Sequence, residues 1–289
     1  MKPLVGNLVV VGTGLIGASV AGALRERGGV SRVVGVGRNR SNLDAALERA
    51  LVDAVSQDLD AALADADLVI LAAPVDSCRA LLAQVVAAAP AAATITDAGS
   101  VKAPLMATAE QLGIAARFVG AHPMAGGTET GAAHARADLF EGCMTVVTPG
   151  DAERRRVGLV SDLWGLVGAK VVEMSAEEHD AVVARTSHLP QMLSYALAAS
   201  LADASSSSSN DLLYALAGNG LRDTTRLAAS DASMWKAISA ENKQELLSAM
   251  TALDGVWQDL RSAIADDDES ALEGIIARAQ AFRRGLDNA

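Results

Sequence analysis

The sequence has few cysteines, few aromatic residues and fewer basic than acidic side chains. Its 289 residues include two cysteines, Cys78 and Cys143, which are too few for a disulfide framework and indicate free thiols in a reducing compartment. A net charge of −11 and an aromatic content of 3% argue against a nucleic-acid partner, because phosphate backbones attract cations and bases stack on aromatic rings. No uncharged apolar segment reaches the roughly 18 to 20 residues of a membrane helix. We therefore predict a cytoplasmic protein without a nucleic-acid or membrane partner.

The first 173 residues alternate between short β-rich runs and alanine-rich stretches of helical character. A short strand near Asp53–Val55 is expected to join seven others, which are Leu8–Val11, Val33–Val36, Leu68–Leu71, Thr94–Thr96, Phe118–Gly120, Thr145–Val147 and Lys170–Val172. Continuous apolar runs separated by helices are typical of a parallel sheet that is covered on both faces. We predict an α/β fold with a Rossmann-type, mostly parallel sheet over residues 1–173.

The strand pattern stops after Glu173, and the rest of the chain is typical of helices. Predicted helices span residues 176–204, 211–228, 232–265 and 268–284, and a serine-rich loop covers residues 204–210. In the third helix, apolar residues recur at steps of three and four, namely Leu246, Met250, Leu253, Val256, Trp257, Leu260 and Ile264. Helices of this length cannot bury every apolar face alone. Residues 174–289 are therefore predicted to form an all-helical domain through which the chain dimerises.

A glycine-rich loop follows the first predicted strand. Gly12, Gly14 and Gly17 have the spacing of a dinucleotide-binding loop. The first glycine permits a tight turn, the second lets a pyrophosphate approach the backbone, and the third lets helix and strand pack closely. The N-terminus of the following helix then faces the phosphate charge. Because the loop stands between a strand and a helix, we predict a bound dinucleotide rather than a chance cluster of glycines.

The end of the second strand bears on the choice of dinucleotide. Gly37 stands where NAD-preferring sites usually have an acidic residue that binds the ribose 2′-hydroxyl. Arg38 and Arg40 follow, and guanidinium groups suit a 2′-phosphate. If both arginines are ordinary surface residues, NAD remains possible. We predict NADP as the cofactor.

Two polar residues are expected at the carboxyl edge of the sheet, where doubly wound sheets bind their ligands. Ser100 and His122 each follow a predicted strand. A histidine there can take a proton as hydride leaves, because its pKa lies near working pH, and a hydroxyl can orient the group being deprotonated. His134 has no such context and His179 suits a helix start, so we interpret both as structural. The spacing of His, Cys and acidic residues predicts no metal site.

Five motifs, taken in their order and spacing, resemble the TyrA family of prephenate and arogenate dehydrogenases. They are Gly12–Gly17, Asp97–Lys102, His122–Gly126, Ser187–Pro190 and Gly220–Arg226. The resemblance covers nearly the whole chain. It implies the oxidative decarboxylation of a cyclohexadienyl acid in tyrosine biosynthesis, with hydride transfer to NAD(P)+. The substrate is then prephenate, giving 4-hydroxyphenylpyruvate, or arogenate, giving tyrosine, or either of the two.

The resemblance also implies roles for individual side chains. His122 matches the general base on the ring hydroxyl, and Ser100 matches a serine that hydrogen-bonds near it. Arg226 matches an arginine that binds a substrate carboxylate, although without the resemblance it would pass for a helix-surface charge paired with Asp223. The other implied substrate contacts are Ser187, His188, Gln191, Asp223 and Thr128. The other implied cofactor contacts are Leu15, Ile16 and Pro74.

Some positions depart from the family pattern. Gln191 stands where many members have a second histidine, and its amide can donate to a keto or an amino group, which leaves prephenate and arogenate both open. An extra glycine after Gly126 leaves either Thr128 or Glu129 in the place of the family's threonine and glutamate. Thr186 is not acidic, which disfavours a site for the ammonium group of arogenate.

Two other classes of protein are weaker alternatives. A β-hydroxyacid type of dehydrogenase usually has a lysine base on its helical domain, but no lysine lies between Lys170 and Lys236. A cofactor-binding scaffold or redox sensor would keep the glycine loop without needing His122, Ser100 and Arg226 together. The joint presence of these three residues favours an enzyme.

Overall fold

The computed structural model describes residues 2–126, 129–203 and 210–287 of the chain. The chain divides into two compact units, the first ending at Lys243 and the second beginning at Gln244. The first unit holds the sheet and the helices up to residue 241, and the second holds the last two helical segments. The division into a nucleotide-binding domain of residues 1–173 and a helical domain of residues 174–289 stays a prediction.

One eight-stranded sheet organises the first unit. Its strands are β1 (Val5–Val11), β2 (Val30–Val36), β3 (Ala54–Ser56), β4 (Leu68–Leu71), β5 (Thr94–Asp97), β6 (Phe118–Pro123), β7 (Met144–Thr148) and β8 (Lys170–Glu173). The spatial order is β3-β2-β1-β4-β5-β6-β7-β8, which contains the Rossmann order extended at one edge. All neighbours pair in parallel except β6 and β7, which are antiparallel. The prediction of a Rossmann-type, mostly parallel sheet is confirmed.

Helices connect most of the strands and make up the rest of the chain. They are α1 (Leu15–Glu26), α2 (Arg40–Glu48), α3 (Leu59–Leu63), α4 (Val75–Ala88), α5 (Ala103–Gln111), α6 (Arg154–Leu166), α7 (Ala176–Val183), α8 (Leu189–Asp203), α9 (Asn210–Leu216), α10 (Asn219–Thr225), α11 (Ala232–Glu241), α12 (Lys243–Ala265) and α13 (Glu269–Asp287). Among the described residues, none of the helices combines the length and the hydrophobicity that a membrane span requires.

The central strands are buried on both faces, as their apolar runs predict. Along β1, Leu8 and Val10 belong to one hydrophobic cluster, together with residues of α1 and α6. Val9 and Val11 belong to a second cluster, together with residues of α3, α4 and α5. Because successive side chains of a strand point to opposite faces, the two clusters lie on opposite faces of the sheet. The sheet therefore exposes its strand ends, rather than its faces, to ligands.

The predicted strands are all present, and the extra length of β6 changes the interpretation of the site. The sequence predicts that β6 ends at Gly120, but antiparallel pairing with β7 continues it to Pro123, which lies opposite Thr145. His122 therefore lies within β6 rather than after it. The described part of the segment between β6 and β7 contains one 3-10 turn, Ala132–His134, and no crossover helix, so β7 returns antiparallel.

The helices of the C-terminal region are more interrupted than their apolar periodicity predicts. The helix expected over residues 176–204 contains a π-helical turn, Ala184–His188, between α7 and α8. The helix expected over 211–228 breaks before α10, which Gly218 precedes as N-cap. The helix expected over 232–265 breaks at Asn242, which has φ −108° and ψ 33°. Most of the predicted serine-rich loop, residues 204–209, lies outside the described residues.

Candidate active site

The glycine loop makes the tight connection between β1 and α1. Gly12 has a φ of 105°, and a Cβ atom there would lie 2.4 Å from the carbonyl oxygen of Ala72. A Cβ atom at Gly17 would lie 1.9 Å from the carbonyl oxygen of Gly12, so neither position accepts a side chain. Around Gly14, no described atom lies within 4 Å of such a Cβ atom. A side chain at position 14 would meet no neighbour, so packing does not explain why the residue is glycine. The open space fits the close approach of a pyrophosphate to the backbone.

The first turn of α1 faces this open space. Gly14 is the N-cap of α1, so no side chain satisfies the free backbone N–H groups, and the first turn contains no acidic residue. This end of the helix is therefore a favourable place for an anion. Leu15 and Ile16 are half-buried against the core, and Pro74 is exposed at the N-cap of α4. The residues that are present fit a dinucleotide phosphate.

Arg38 and Arg40 lie beyond the end of β2 and have different surroundings. The Nε atom of Arg40 donates to Oδ1 of Asp44 at 2.9 Å, one turn later in α2. Arg38 is exposed, and its guanidinium makes no hydrogen bond or ion pair with any residue that the structure describes. Asn39 caps α2 by accepting hydrogen bonds from two backbone N–H groups. Of the two arginines, Arg38 is the one whose charge is available to a ligand.

His122 is the first member of a hydrogen-bonded chain of three side chains. Its Nδ1 atom lies 2.8 Å from Nε2 of His179, and Nδ1 of His179 lies 2.7 Å from Oδ1 of Asp180. His179 and Asp180 are buried in α7, whereas His122 keeps 9% of its surface exposed. This hydrogen-bonded chain of side chains therefore runs from the Asp180 carboxylate in the interior to the His122 imidazole at the carboxyl edge of the sheet.

The order of groups in this chain fixes the state of each ring. A carboxylate only accepts hydrogen bonds, so His179 donates to Asp180 through Nδ1–H. When His179 is neutral, its Nε2 atom is an acceptor, and His122 must donate to it through Nδ1–H. The remaining ring nitrogen of His122, Nε2, then has a free lone pair. The geometry makes this nitrogen the basic atom.

The electrostatic environment of His122 keeps the ring uncharged at neutral pH. Burial holds the pKa of His122 well below its ordinary value of 6.5, and His179, Lys102 and His188 lower it further. A neutral imidazole can accept a proton, whereas an imidazolium cannot. The ring is therefore in the state that a general base requires.

Ser100 lies in the loop after β5, beside the strand that contains His122. The residue is half-buried, and its hydroxyl makes no hydrogen bond to any other part of the chain that the structure describes. The preceding backbone N–H, of Gly99, donates to Oδ2 of Asp97 at 2.8 Å, and the N–H of Ala121 donates to Oδ1 of the same carboxylate at 3.0 Å. One carboxylate thus holds the backbone just before both Ser100 and His122.

Asp180 joins the helical region to the same loop. Its Oδ1 and Oδ2 atoms accept from the backbone N–H groups of Lys102 and Ala103, each at 2.8 Å. These residues begin α5, directly after the Ser100 loop. Asp180 therefore orients His179 and fixes the start of α5 at the same time.

The π-helical turn between α7 and α8 contains Ser187 and His188. π-turns inside helices are rare and occur frequently at functional sites. His188 is 1% exposed, and burial lowers its pKa to about 4. Its Nδ1 atom lies 3.1 Å from Nδ2 of Asn242, which also donates to the carbonyl oxygen of Asp180. His188 is thus a neutral buried ring that Asn242 links to the histidine chain, and Ser187 is half-buried beside it.

The remaining predicted substrate residues have mixed surroundings. Gln191 is buried, and its amide donates to the carbonyl oxygen of Leu227 at 2.6 Å, so it holds the backbone next to Arg226. Arg226 and Asp223 are exposed, and no ion pair joins these two side chains. Thr128 lies outside the described residues, and Glu129 pairs with the exposed His134 at 2.8 Å. Their roles in substrate binding stay predictions.

Sequence reasoning missed four residues of the hydrogen-bond network that contains His122. His179 is the hydrogen-bond partner of the proposed base, not merely a residue at a helix start. Asp180, Lys102 and Asn242 are each buried and complete the network. The adjacent pair His179-Asp180, directly after a capping box at Ser175, is the one local pattern that hints at this arrangement, since a carboxylate beside a histidine can fix its tautomer.

Two family models match consecutive parts of the chain, and both describe domains of the same enzyme. A family model described as the prephenate dehydrogenase nucleotide-binding domain matches residues 20–173. A second model, described as the prephenate dehydrogenase dimerization domain, matches residues 175–278. Together these matches cover most of the chain, including His122 and the helical region.

Three relatives show how similar the chain is to individual proteins. A cyclohexadienyl dehydrogenase from Zymomonas mobilis is 32% identical over 97% of this chain and 96% of its own length. A structure of prephenate dehydrogenase from Aquifex aeolicus, in complex with hydroxyphenyl propionate and NAD+, has a TM-score of 0.91 and 30% identity, covering 99% of this chain and 98% of that chain. A structure of Synechocystis arogenate dehydrogenase has a TM-score of 0.84 and 30% identity, and the match covers 97% of this chain and 99% of that chain. The chain belongs to the prephenate dehydrogenase family.

Proposed function

We propose that this protein is a prephenate dehydrogenase, which converts prephenate to 4-hydroxyphenylpyruvate and CO2 as NAD(P)+ is reduced. The observation that carries the proposal is the chain Asp180–His179–His122, which ends on a neutral imidazole at the carboxyl edge of a dinucleotide-binding sheet. Membership of the family supports the choice of substrate class.

His122 is the general base of the proposed reaction. Its Nε2 lone pair accepts the proton of the ring hydroxyl, because Nδ1 is occupied by the hydrogen bond to His179. The imidazolium that forms is stabilised through His179 by the Asp180 carboxylate. The free hydroxyl of Ser100 orients the ring hydroxyl toward His122.

The rest of the reaction follows from the loss of that proton. When bound, the nicotinamide supplies the hydride acceptor, and the hydride comes from the ring carbon that bears the hydroxyl. The Gly14 opening and the first turn of α1 would hold the pyrophosphate of the cofactor. Loss of the ring carboxylate as CO2 leaves its electron pair in the ring, which becomes aromatic as the new carbonyl oxygen takes the proton back from His122. The side chains near His122 need only position the substrate and move one proton.

Arg226 is the proposed ligand of a substrate carboxylate. Arginine keeps its charge at all working pH values and binds carboxylates in a bidentate manner. Gln191 supports it by fixing the neighbouring carbonyl of Leu227, and the proposed site includes Ser187, His188, Asp223 and Thr128. The alternative substrate is arogenate, or both acids, which the similarity to an arogenate and a cyclohexadienyl dehydrogenase supports.

NADP is the proposed cofactor, with NAD as the alternative. The exposed, unpaired guanidinium of Arg38 and the absence of a side chain at Gly37 favour a 2′-phosphate. The relative crystallised with NAD+ supports the alternative. We also propose a homodimer formed through the helical region, in line with the description of the second family model, and a reducing, cytoplasmic setting that suits two free cysteines.

The experiment that tests the proposed function is a matrix of four steady-state assays. Prephenate or arogenate is combined with NAD+ or NADP+, and NAD(P)H formation is followed by absorbance while the aromatic product is quantified by chromatography. We expect turnover with prephenate and NADP+ and one mole of aromatic product per mole of NADPH. No turnover in any of the four assays would overturn the proposal, and turnover with arogenate alone would select the alternative.

A further inference from the structure

The strands β5 and β6 separate before they end. They pair in parallel only through Ile95 with Phe118 and Thr96 with Val119. Gly120–Pro123 of β6 continue to pair with β7, which lies on the other side of β6, but no longer pair with β5. The divergence leaves Ala121, the residue before His122, without a ladder partner on the β5 side.

A buried ion pair occupies the gap between the separating strands. Lys102 Nζ forms a short contact with Oδ2 of Asp97 and donates to the carbonyl oxygen of Ala121 at 2.8 Å. The other carboxylate oxygen, Oδ1, accepts from the N–H of Ala121 at 3.0 Å. The pair therefore replaces both hydrogen bonds that a neighbouring strand would have made to Ala121.

The same pair holds the loop that contains Ser100. Oδ2 of Asp97 accepts from the N–H of Gly99, and a Cβ atom at Gly99 would lie 3.0 Å from that oxygen. Lys102 itself is fixed at its backbone N–H, which donates to Asp180. Four hydrogen bonds and one ion pair thus connect the backbone before Ser100, the backbone before His122 and the carboxylate behind His179.

Stability alone is a weak reason to bury such a pair. Both side chains are about 1% exposed, and the cost of removing two charges from water often equals or exceeds what their attraction returns. Two apolar residues would fill the same space without that cost. Backbone groups in a widening gap need polar partners of fixed geometry, which apolar residues cannot supply.

We propose that the Asp97–Lys102 pair is a positioning element that sets the place of Ser100 relative to His122 at the divergence of β5 and β6. This inference rests on the proposed function, in which Ser100 and His122 act on the substrate. Neither Asp97 nor Lys102 is a catalytic residue in this account, because both act through the backbone of Gly99 and Ala121.

The test uses three variants and one matched control. Lys102→Met and Asp97→Leu each leave an unpaired buried charge, whereas the double variant Asp97→Leu/Lys102→Met leaves none and also removes the acceptor of the Ala121 N–H. The control is Arg156→Met, because Arg156 is also a buried cation and donates to Ala92 and Thr94 at the opposite end of β5. For all variants, kcat, KM for substrate, urea unfolding and the hydrogen exchange of the Ala121 amide are measured.

We expect kcat to fall at least tenfold in both single variants and in the double variant, with KM changed less than threefold. The double variant unfolds at the same or a higher urea concentration than the single variants, because no charge is left unpaired. Exchange of the Ala121 amide is at least tenfold faster in the double variant than in the wild-type protein. Arg156→Met keeps kcat and the Ala121 exchange rate within threefold of wild type, whatever its effect on stability.

A double variant with wild-type kcat would overturn the proposal, since the pair would then serve only charge compensation. Unchanged exchange at Ala121 would overturn it as well. If the single variants do not fold, the double variant still decides the question. If the wild-type protein turns over no substrate, the proposed function fails, and the exchange measurement still tests the contact between the pair and Ala121.

Discussion

His122 obtains its proposed role from two neighbours, His179 and Asp180, which lie outside the five motifs that carry the family resemblance. A neutral imidazole has two possible tautomers, and only one leaves Nε2 free to accept a proton. His179 selects that tautomer for His122, and Asp180 selects the tautomer of His179. Each link is a single hydrogen bond below 3 Å, so replacement of His179 tests the arrangement directly.

Replacing His179 separates its hydrogen bond from its volume. We expect His179→Ala to lower kcat by about 10²-fold or more, because His122 loses the acceptor that orients it, as in triads whose orienting residue is removed. His179→Gln can still accept the hydrogen bond from His122 through its amide oxygen. Its kcat should therefore stay at least tenfold above that of His179→Ala. Steady-state kcat at pH 8 measures both. Equal losses in the two variants would show that the hydrogen bond is not what His179 contributes.

The two arginines after β2 predict a difference in cofactor binding. Arg38→Ala should raise the Kd of NADP+ at least tenfold and change that of NAD+ less than threefold, because NAD+ lacks the 2′-phosphate. Arg40→Ala is the matched control and should have the smaller effect on NADP+, since Asp44 already neutralises Arg40. Fluorescence titration gives both constants. Equal weakening of NAD+ and NADP+ by Arg38→Ala would contradict a 2′-phosphate site.

At the scale of single residues, the sequence predicts the functional residues that have a strong local context and misses those that have none. Gly12, Gly14 and Gly17 stand in a fixed spacing between a strand and a helix, and their structure matches that prediction. His179 is 57 residues from His122 in sequence, so no local pattern reveals that the two rings are in contact. Lys102 lies in a recognised motif, but its contact with Ala121 depends on how two strands diverge.

Among the secondary-structure elements, the π-helical turn between α7 and α8 is the least predictable. The apolar periodicity of residues 176–204 is that of one continuous helix, and nothing in it marks a change of hydrogen-bonding pattern at Ala184–His188. The turn places His188 against Asn242 and the edge of Trp235, whose ring centroid lies 5.9 Å away. These contacts are with residues about 50 positions later in the chain, so tertiary packing determines the turn.

The antiparallel β7 has a similar explanation. Its apolar residues are those expected of a buried strand in either direction, so composition does not give its orientation. The orientation follows from the segment after β6, which packs against α1 and α2: Arg49 donates to the carbonyl oxygens of Ala132 and Ala135, and Ser19 accepts from the N–H of Arg136. Such contacts are visible only in the folded chain.

The buried ring of His188 predicts an acid-dependent loss of stability. Its pKa is about 4 in the folded protein and 6.5 when unfolded, so between these pH values the unfolded chain binds more protons. The free energy of unfolding therefore falls as the pH drops below 6.5, by at most about 2 kcal/mol for this group at pH 5.

Urea unfolding at pH 7 and pH 5 measures that loss. His188→Gln should show a smaller difference between the two pH values than the wild-type protein does. His134→Gln, which replaces an exposed histidine, serves as the control and should keep the wild-type difference. A pH dependence that is the same in wild type and His188→Gln would show that His188 is not the group responsible.

At the scale of the whole molecule, the exposed apolar side chains of residues 244–287 indicate a partner surface. Trp257, Ile264, Phe282 and Leu286 are between 57% and 71% exposed on the single chain. Clusters of exposed apolar side chains mark interaction surfaces, and the second family model is described as a dimerization domain. A second copy of the chain is therefore the expected occupant.

Sedimentation velocity tests this expectation. The wild-type protein should sediment as a dimer at micromolar concentration, and Phe282→Glu/Trp257→Glu should shift it toward the monomer because two charges would have to be buried. Leu4→Glu, at an exposed apolar residue beside β1, is the control and should remain dimeric. A wild-type monomer at tens of micromolar, or a dimer unaffected by the double substitution, would contradict the proposed interface.

The proposed reaction depends on proton transfer to His122. The most direct measurement is kcat for NAD(P)H formation from prephenate by His122→Asn, with His134→Asn as a matched control on an exposed histidine. Loss of a general base predicts a fall in kcat of about 10²–10⁴-fold with little change in KM, and near wild-type kcat for the control. A His122→Asn kcat within threefold of wild type would contradict the central claim.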